Sequence, residues 1–201
     1  MITPWPAQPP AHLDYSGHGW LLDENKRVLS MFLNDTTKTI VEVGTWLGLS
    51  ARFMLDRAPN ATLFAVDHWN GLPLVEWKGF GLPESEWKKL APDPWAQFVK
   101  DSWGYRGRLR PVRADSWAGL DYLATLDLKP DLVYIDGGHG YERALGDIQR
   151  VRAVWPKAII VGDDWTWPGV RQAVTEFFAN PRDPFAVPSY RVDGNVWWVE
   201  P

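Results

Sequence analysis

Apolar positions along this chain follow two rhythms. Short unbroken runs, TIVEVG (39–44), ATLFAVD (61–67), DLVYID (131–136) and AIIVGDD (158–164), are rich in β-branched residues and end in glycine or an acid. Runs of this kind predict strands buried on both faces. Between them the apolar residues recur at helical spacing. Leu21, Leu22, Val28, Leu29, Phe32 and Leu33 predict a helix over about 20–34, and Ser50 is the expected cap of a helix running to about Arg57, before Pro59. Asp93-Pro94 predicts an N-cap and first turn, with Trp95, Phe98 and Val99 on one face behind it. Tyr141, Ala144, Leu145, Ile148 and Val151 share one side of a helix ending at Pro156, and VRQAVTEFFAN (170–180) predicts another. RLRPVRAD (108–115) reads as a strand that Pro111 assigns to a sheet edge. SYRVDGNVWWVE (189–200) reads as a hairpin with Asp193-Gly194 as its tight turn.

Strand–helix alternation implies a parallel sheet covered on both faces. The predicted fold class is α/β: a doubly wound, Rossmann-like, mostly parallel seven-stranded sheet with a C-terminal antiparallel hairpin strand. The length of 201 residues suits one domain. A Pro-rich arm over 1–14 precedes a single domain over 15–201, and the segment 72–92 is long enough to serve as a lid, with Trp77, Phe80 and Trp87 to close over a ligand. A net charge of −4 offers no basic footprint for nucleic acid, and the absence of cysteine excludes disulfides and thiolate metal sites. MITPWPAQPPAHLD lacks the basic flank and apolar run of a signal peptide, and no stretch is long enough to span a bilayer, so a cytoplasmic protein without membrane partners is expected.

Ligands of open parallel sheets bind at the carboxyl ends of the strands, where strand order reverses. The polar residues collect at those ends: Glu42 and Gly44, Asp67, Asp115, Asp136, and the pair Asp163 and Asp164. One such acid would pass as a helix cap, but five strand ends carrying them argue for a shared site. The first turn, VEVGTWLGLS, has Gly44 and Gly48 but lacks G-x-G-x-x-G, because Thr45 and Trp46 occupy the space a pyrophosphate needs. A nucleoside without phosphates avoids that requirement.

These residues resemble the class I S-adenosylmethionine-dependent methyltransferases: E-x-G-x-x-x-G as Glu42, Gly44 and Gly48, an acid ending the second strand as Asp67, and a third-strand acid as Asp115 in ADSW. IDGGHGYERALGDI followed by IIVGDDW is similar to the small-molecule O-methyltransferase branch related to macrocin O-methyltransferase and cephalosporin hydroxylase-like proteins. The resemblance covers roughly residues 37–200. It implies that Asp67 accepts the ribose hydroxyls, that Asp115 and Ser116 border the adenine, and that Gly44 and Thr45 lie against the methionine part. Glu42 then supports the loop or meets the amino group, Gly48 and Ser50 open the helix beside the cofactor, and His68 packs near the adenine.

In this topology the strands ending in Asp136 and in Asp163 and Asp164 are neighbours. Three close carboxylates repel, and a divalent cation would relieve them: Mg²⁺, or Mn²⁺ or Ca²⁺. Such a cation would lower the pKa of a bound hydroxyl. His139, three residues beyond Asp136, has a reference pKa of about 6.5 and is the candidate general base. Trp165 and Trp167 are candidates to stack on a sugar or phenol-like acceptor, with His18 and Trp20 as further contributors. The expected activity is metal-assisted O-methylation of a small hydroxylated molecule. The alternatives are a hydroxylase-like relative and a metal-dependent hydrolase on the same fold, and a homo-oligomer is compatible with either.

Overall fold

Four of the apolar runs lie side by side as parallel strands. In the computed structural model β1 (Thr39–Val43) is central, flanked by β2 (Thr62–Asp67) and then β3 (Leu109–Arg113) on one side. On its other side come β4 (Leu132–Ile135), β5 (Ile159–Gly162), β7 (Val196–Val199) and β6 (Arg191–Asp193). The five strands β1–β5 pair in parallel, and β7 runs antiparallel to both β5 and β6. The structure describes residues 1–11, 19–70, 93–179 and 190–201. The segment 72–92, with Trp77, Phe80 and Trp87, and also His18, lies outside the described residues.

The helices are α1 (Asp23–Phe32), α2 (Leu49–Arg57), α3 (Pro94–Ser102), α4 (Ser116–Ala124), α5 (Tyr141–Val154) and α6 (Pro168–Ala179). Strand side chains alternate between two cores, as the pleat requires. Ile40, Leu63, Leu109 and Leu132 pack with α1–α3, while Val41, Val43, Val66, Val133 and Ile135 pack with α4–α6. Glu42, next in the alternation after Ile40, therefore points into the α1–α3 side.

Several local expectations shift. Gly48, not Ser50, is the N-cap of α2, with φ at 79°, and Ser50 is buried inside the first turn. The hairpin turn is Gly194-Asn195 rather than Asp193-Gly194, because Asp193 still pairs with Val196 and Gly194 takes the left-handed φ of 60°. Helix α4 was not visible as a period: it is nine residues long and contains Gly119. A Cβ on Gly119 would sit 2.4 Å from Val66 Cγ1, so the glycine lets the helix lie directly on β2. Other expectations hold. Asp93 Oδ1 accepts the Ala96 N–H at 3.0 Å as the cap of α3. Strand β3 is at the sheet edge, and the N-terminal arm covers it: Thr3 N donates to Pro111 O at 2.7 Å and the Trp5 indole donates to Leu109 O at 3.1 Å. Pro111 shows its carbonyl, and hence its missing N–H, to the arm and not to β2.

Candidate active site

Strand order reverses between β1 and β4, and the chain leaves both through glycine. Gly44 takes a φ of 85°, and a Cβ on it would fall 1.8 Å from Asp136 O, so the two strand ends approach as closely as backbone allows. Gly48 serves a different purpose from the one expected: a Cβ there would meet Ser102 Oγ at 2.6 Å, so it permits contact with α3 and does not face the ligand side. Beneath this loop Glu42 is fully buried and accepts a hydrogen bond from the Ser50 hydroxyl. Burial pushes the Glu42 carboxyl up to about 7, against the lowering effect of Ser50 and Thr45. Glu42, Thr45 and Ser50 thus form a supporting layer under the loop.

Asp67 ties two loops together. Its Oδ2 accepts the Trp46 N–H at 2.8 Å and its Oδ1 accepts the Trp69 N–H at 2.7 Å. Both tryptophans have a φ of 49°, a conformation unfavourable for a bulky residue, and each is held by one oxygen of the same carboxylate. The Trp69 indole closes the knot by donating to Trp46 O at 2.6 Å. Burial raises the Asp67 pKa, with the backbone N–H groups of Trp69 and Trp46, His68 and the Thr45 N–H acting against it. His68 beside it has a 42% exposed side chain. Asp115 caps α4 through Trp117 N at 3.1 Å and pairs with Arg143 Nη1 at 2.9 Å.

At the other end, burial and the neighbouring Asp163 and Asp164 raise the Asp136 pKa well above the carboxylate range. Asp163 is pushed up to about 6, by burial first and then by Asp164. Its two oxygens are nonetheless saturated. Oδ2 accepts from Asn25 Nδ2 at 2.8 Å and from the Tyr134 hydroxyl at 3.3 Å; Oδ1 accepts from Asp164 N at 2.8 Å and Asn195 Nδ2 at 3.0 Å. Four donors occupy the lone pairs of a carboxylate. Asp164, with a φ of 63°, is placed by this network, and its Oδ2 lies 2.8 Å from His139 Nε2. The His139 ring lies against Trp167, centroids 4.6 Å apart. Among the described residues, no group of three or more His, Cys, Asp or Glu side chains is arranged to hold a metal ion. Of the three carboxylates expected as ligands, Asp163 has both oxygens engaged by these four donors.

One cavity of about 390 Å³ joins the two ends. Of the residues singled out from sequence, Gly44, Asp67, His68, Asp115 and Ser116 line one part of it, and Asp136, His139, Asp163, Asp164 and Trp167 the other. Trp165 does not line it; its ring packs against Tyr190, centroids 5.3 Å apart. Trp20 and Trp46 line the cavity with their rings 6.1 Å apart. Asn25 and Asn195 escaped sequence reasoning, since a lone asparagine in a helix or a hairpin turn carries no local signal of a partner 138 or 32 residues away.

Comparison with known proteins agrees with this architecture. Residues 41–165 match the Methyltransferase domain family. No curated protein matches the chain. Among solved structures, the chain is similar to the MycE methyltransferase of the mycinamycin biosynthetic pathway, with a TM-score of 0.58 and 17% identity over 90% of this chain. It spans about half of that protein, covering 49% of its length. The calicheamicin methyltransferase CalS11 gives 0.57 and 18% identity, covering 90% of this chain and 80% of that one. A putative rRNA-methylase from Clostridium thermocellum gives 0.58 and 12% identity, covering 90% and 94%. At these identities the likeness is one of fold. With more than half of its length matched and the cavity at the sheet's switch point, the chain belongs to the Methyltransferase domain family and has the Rossmann-like methyltransferase fold.

Proposed function

We propose that this enzyme transfers the methyl group of S-adenosylmethionine to a hydroxyl of a small acceptor, a sugar or a phenol-like ring, with the help of a divalent cation. The observation that carries the reading is the single cavity shared by Asp67 and the Asp136–His139–Asp164 cluster. Asp67 would face the ribose hydroxyls, while Asp115 and Ser116 would bound the adenine side. The similar structures support the choice: MycE was captured with Mg, SAH and mycinamycin VI, and CalS11 is a TDP-rhamnose 3'-O-methyltransferase.

The donor set suits a hard cation that keeps several waters, since Mg²⁺ is commonly bound through one or two carboxylates. Asp136, its pKa raised by burial and by its acidic neighbours, and Asp164 would hold it. Such a cation, when bound, polarises an acceptor hydroxyl and lowers its pKa. His139 performs the proton transfer. Asp164 Oδ2, 2.8 Å from Nε2, orients the ring for this task. S-adenosylmethionine, when bound, would supply its methyl group to the deprotonated acceptor oxygen, with S-adenosylhomocysteine as the leaving thioether. Trp167, lying on the imidazole, limits its rotation and gives the acceptor a flat wall.

Calorimetric titration with S-adenosylhomocysteine, with and without Mg²⁺, tests the reading. Saturable micromolar binding, with methyl transfer to sugar or phenol acceptors that EDTA suppresses, is the expected result. Absence of binding in both conditions would remove the cofactor assignment; transfer unaffected by EDTA would remove the cation.

A further inference from the structure

Two large apolar side chains stand in the open on the wall of an otherwise polar cavity. Trp20 is 40% and Leu22 51% exposed, and both line the cavity that holds the strand-end acids. Trp46 lines it as well, its ring 6.1 Å from that of Trp20 and tilted by 37°. Rings at that separation touch each other and leave no space for a third ring between them, so the two indoles and Leu22 act as one surface. Apolar side chains grouped in this way mark a surface that a ligand covers.

The surface is fixed at both ends. On one side the Leu22 N–H donates to Asn25 Oδ1 at 2.9 Å, and Asn25 Nδ2 donates to Asp163 Oδ2 at 2.8 Å. The entry to α1 therefore hangs on the acid next to Asp164, which holds His139. On the other side the Trp46 N–H donates to Asp67 Oδ2 at 2.8 Å. Gly19 brings the two sides together, since a Cβ there would lie 2.8 Å from Leu49 Cβ at the start of α2. The apolar surface thus spans from the proton-transfer cluster to the cofactor loop, the stretch over which acceptor and methyl donor must meet. Charge narrows what can lie on it. Among the described residues five aspartates line the cavity against one arginine, Arg143, which is paired with Asp115 at 2.9 Å. An anionic acceptor would meet like charge there, and an apolar wall gives a phosphate nothing in exchange for its water.

We propose that Trp20, Leu22 and Trp46 select an uncharged acceptor whose hydroxyl-bearing ring is joined to an apolar ring system, with Trp20 as the residue that sets this preference. The inference rests on the small-acceptor reading above and deepens it: an apolar glycoside is favoured over a sugar carried on a nucleoside diphosphate.

The test compares 2-naphthyl β-glucoside, methyl β-glucoside and UDP-glucose as ligands of the protein saturated with S-adenosylhomocysteine, with dissociation constants from ligand-observed NMR titrations. The naphthyl glucoside is expected to bind at least about tenfold more tightly than either of the others, through the apolar area it covers. Trp20→Ala should shrink that preference to about threefold or less, with the affinity for S-adenosylhomocysteine and the melting temperature unchanged, and Trp20→Phe should restore part of it. No preference for the naphthyl compound in the wild type, tighter binding of UDP-glucose, or a preference that survives in Trp20→Ala would each overturn the assignment. A protein that does not bind S-adenosylhomocysteine would instead sink the cofactor reading, and the same comparison on the unliganded protein still decides the role of Trp20.

Discussion

Glu42 shows how a strand-end acid can belong to the site without touching it. It is fully buried, its carboxyl is pushed up to about 7 by that burial, and the Ser50 hydroxyl donates to it. A carboxyl whose folded pKa is raised favours its protonated form. Stability is then fully present below the ordinary value of 4.5 and is lost as pH rises through about 7. Glutamine keeps an acceptor for Ser50 without the charge. Glu42→Gln is therefore expected to raise stability by about 1–3 kcal/mol at pH 8 and to change it little near pH 4.5. Urea midpoints at the two pH values check this. An equal difference at both would mean that Glu42 ionises normally and that the loop rests on something else.

Among the elements, the terminal hairpin does more than finish the sheet. Its turn residue Asn195 donates to Asp163 at 3.0 Å and to Asp164 at 3.4 Å, and accepts from the Thr166 N–H at 3.0 Å and hydroxyl at 2.6 Å. Helix α1 contributes from the opposite side, where Asn25 joins Tyr134 at 3.0 Å and Asp163 at 2.8 Å. The carboxylates at the end of β5 are thus held by two elements remote in sequence. Asn195→Ala should cost about 1–3 kcal/mol, because it removes a donor from buried acids. Its kinetic signature should be a fall in kcat with little change in cofactor affinity, since Asp67 lies on the other side of the cavity. Cofactor affinity falling in step with kcat would contradict that separation.

Across the whole molecule, the sheet brings two groups of polar residues to one edge while keeping them on different strands. In the proposed reading the nucleoside side hangs on β2 and β3 and the proton-transfer side on β4 and β5, with β1 between them. The ends should therefore fail independently. Asp67→Ala should abolish the rise in melting temperature that saturating S-adenosylhomocysteine produces, a stabilisation of about 2.7 kcal/mol at a hundredfold excess over Kd. His139→Ala should leave that rise intact and slow turnover by about 10²–10⁴-fold. Undiminished turnover in His139→Ala would assign the base elsewhere. Among the described residues no helix is long and apolar enough to cross a membrane.

Short-range chemistry made much of this legible from the chain alone. Unbroken β-branched runs admit little besides buried parallel strands, Asp93-Pro94 is a cap that works through its own neighbours, and the acids at strand ends share an edge once the sheet is parallel. Helix α4 was not legible, because a nine-residue helix with a glycine against β2 leaves too few apolar positions to make a period. Nor was the division of labour among the acids. Asp163 and Asp164 are adjacent and chemically identical, yet one is saturated by donors from α1, β4 and the hairpin, while the other has an oxygen 2.8 Å from His139. Asp147 has the spacing of a helix residue and says nothing of its burial. Local sequence determines which backbone forms and where its strands end. What a carboxylate does there depends on the donors and dielectric around it, and only the tertiary structure brings those together.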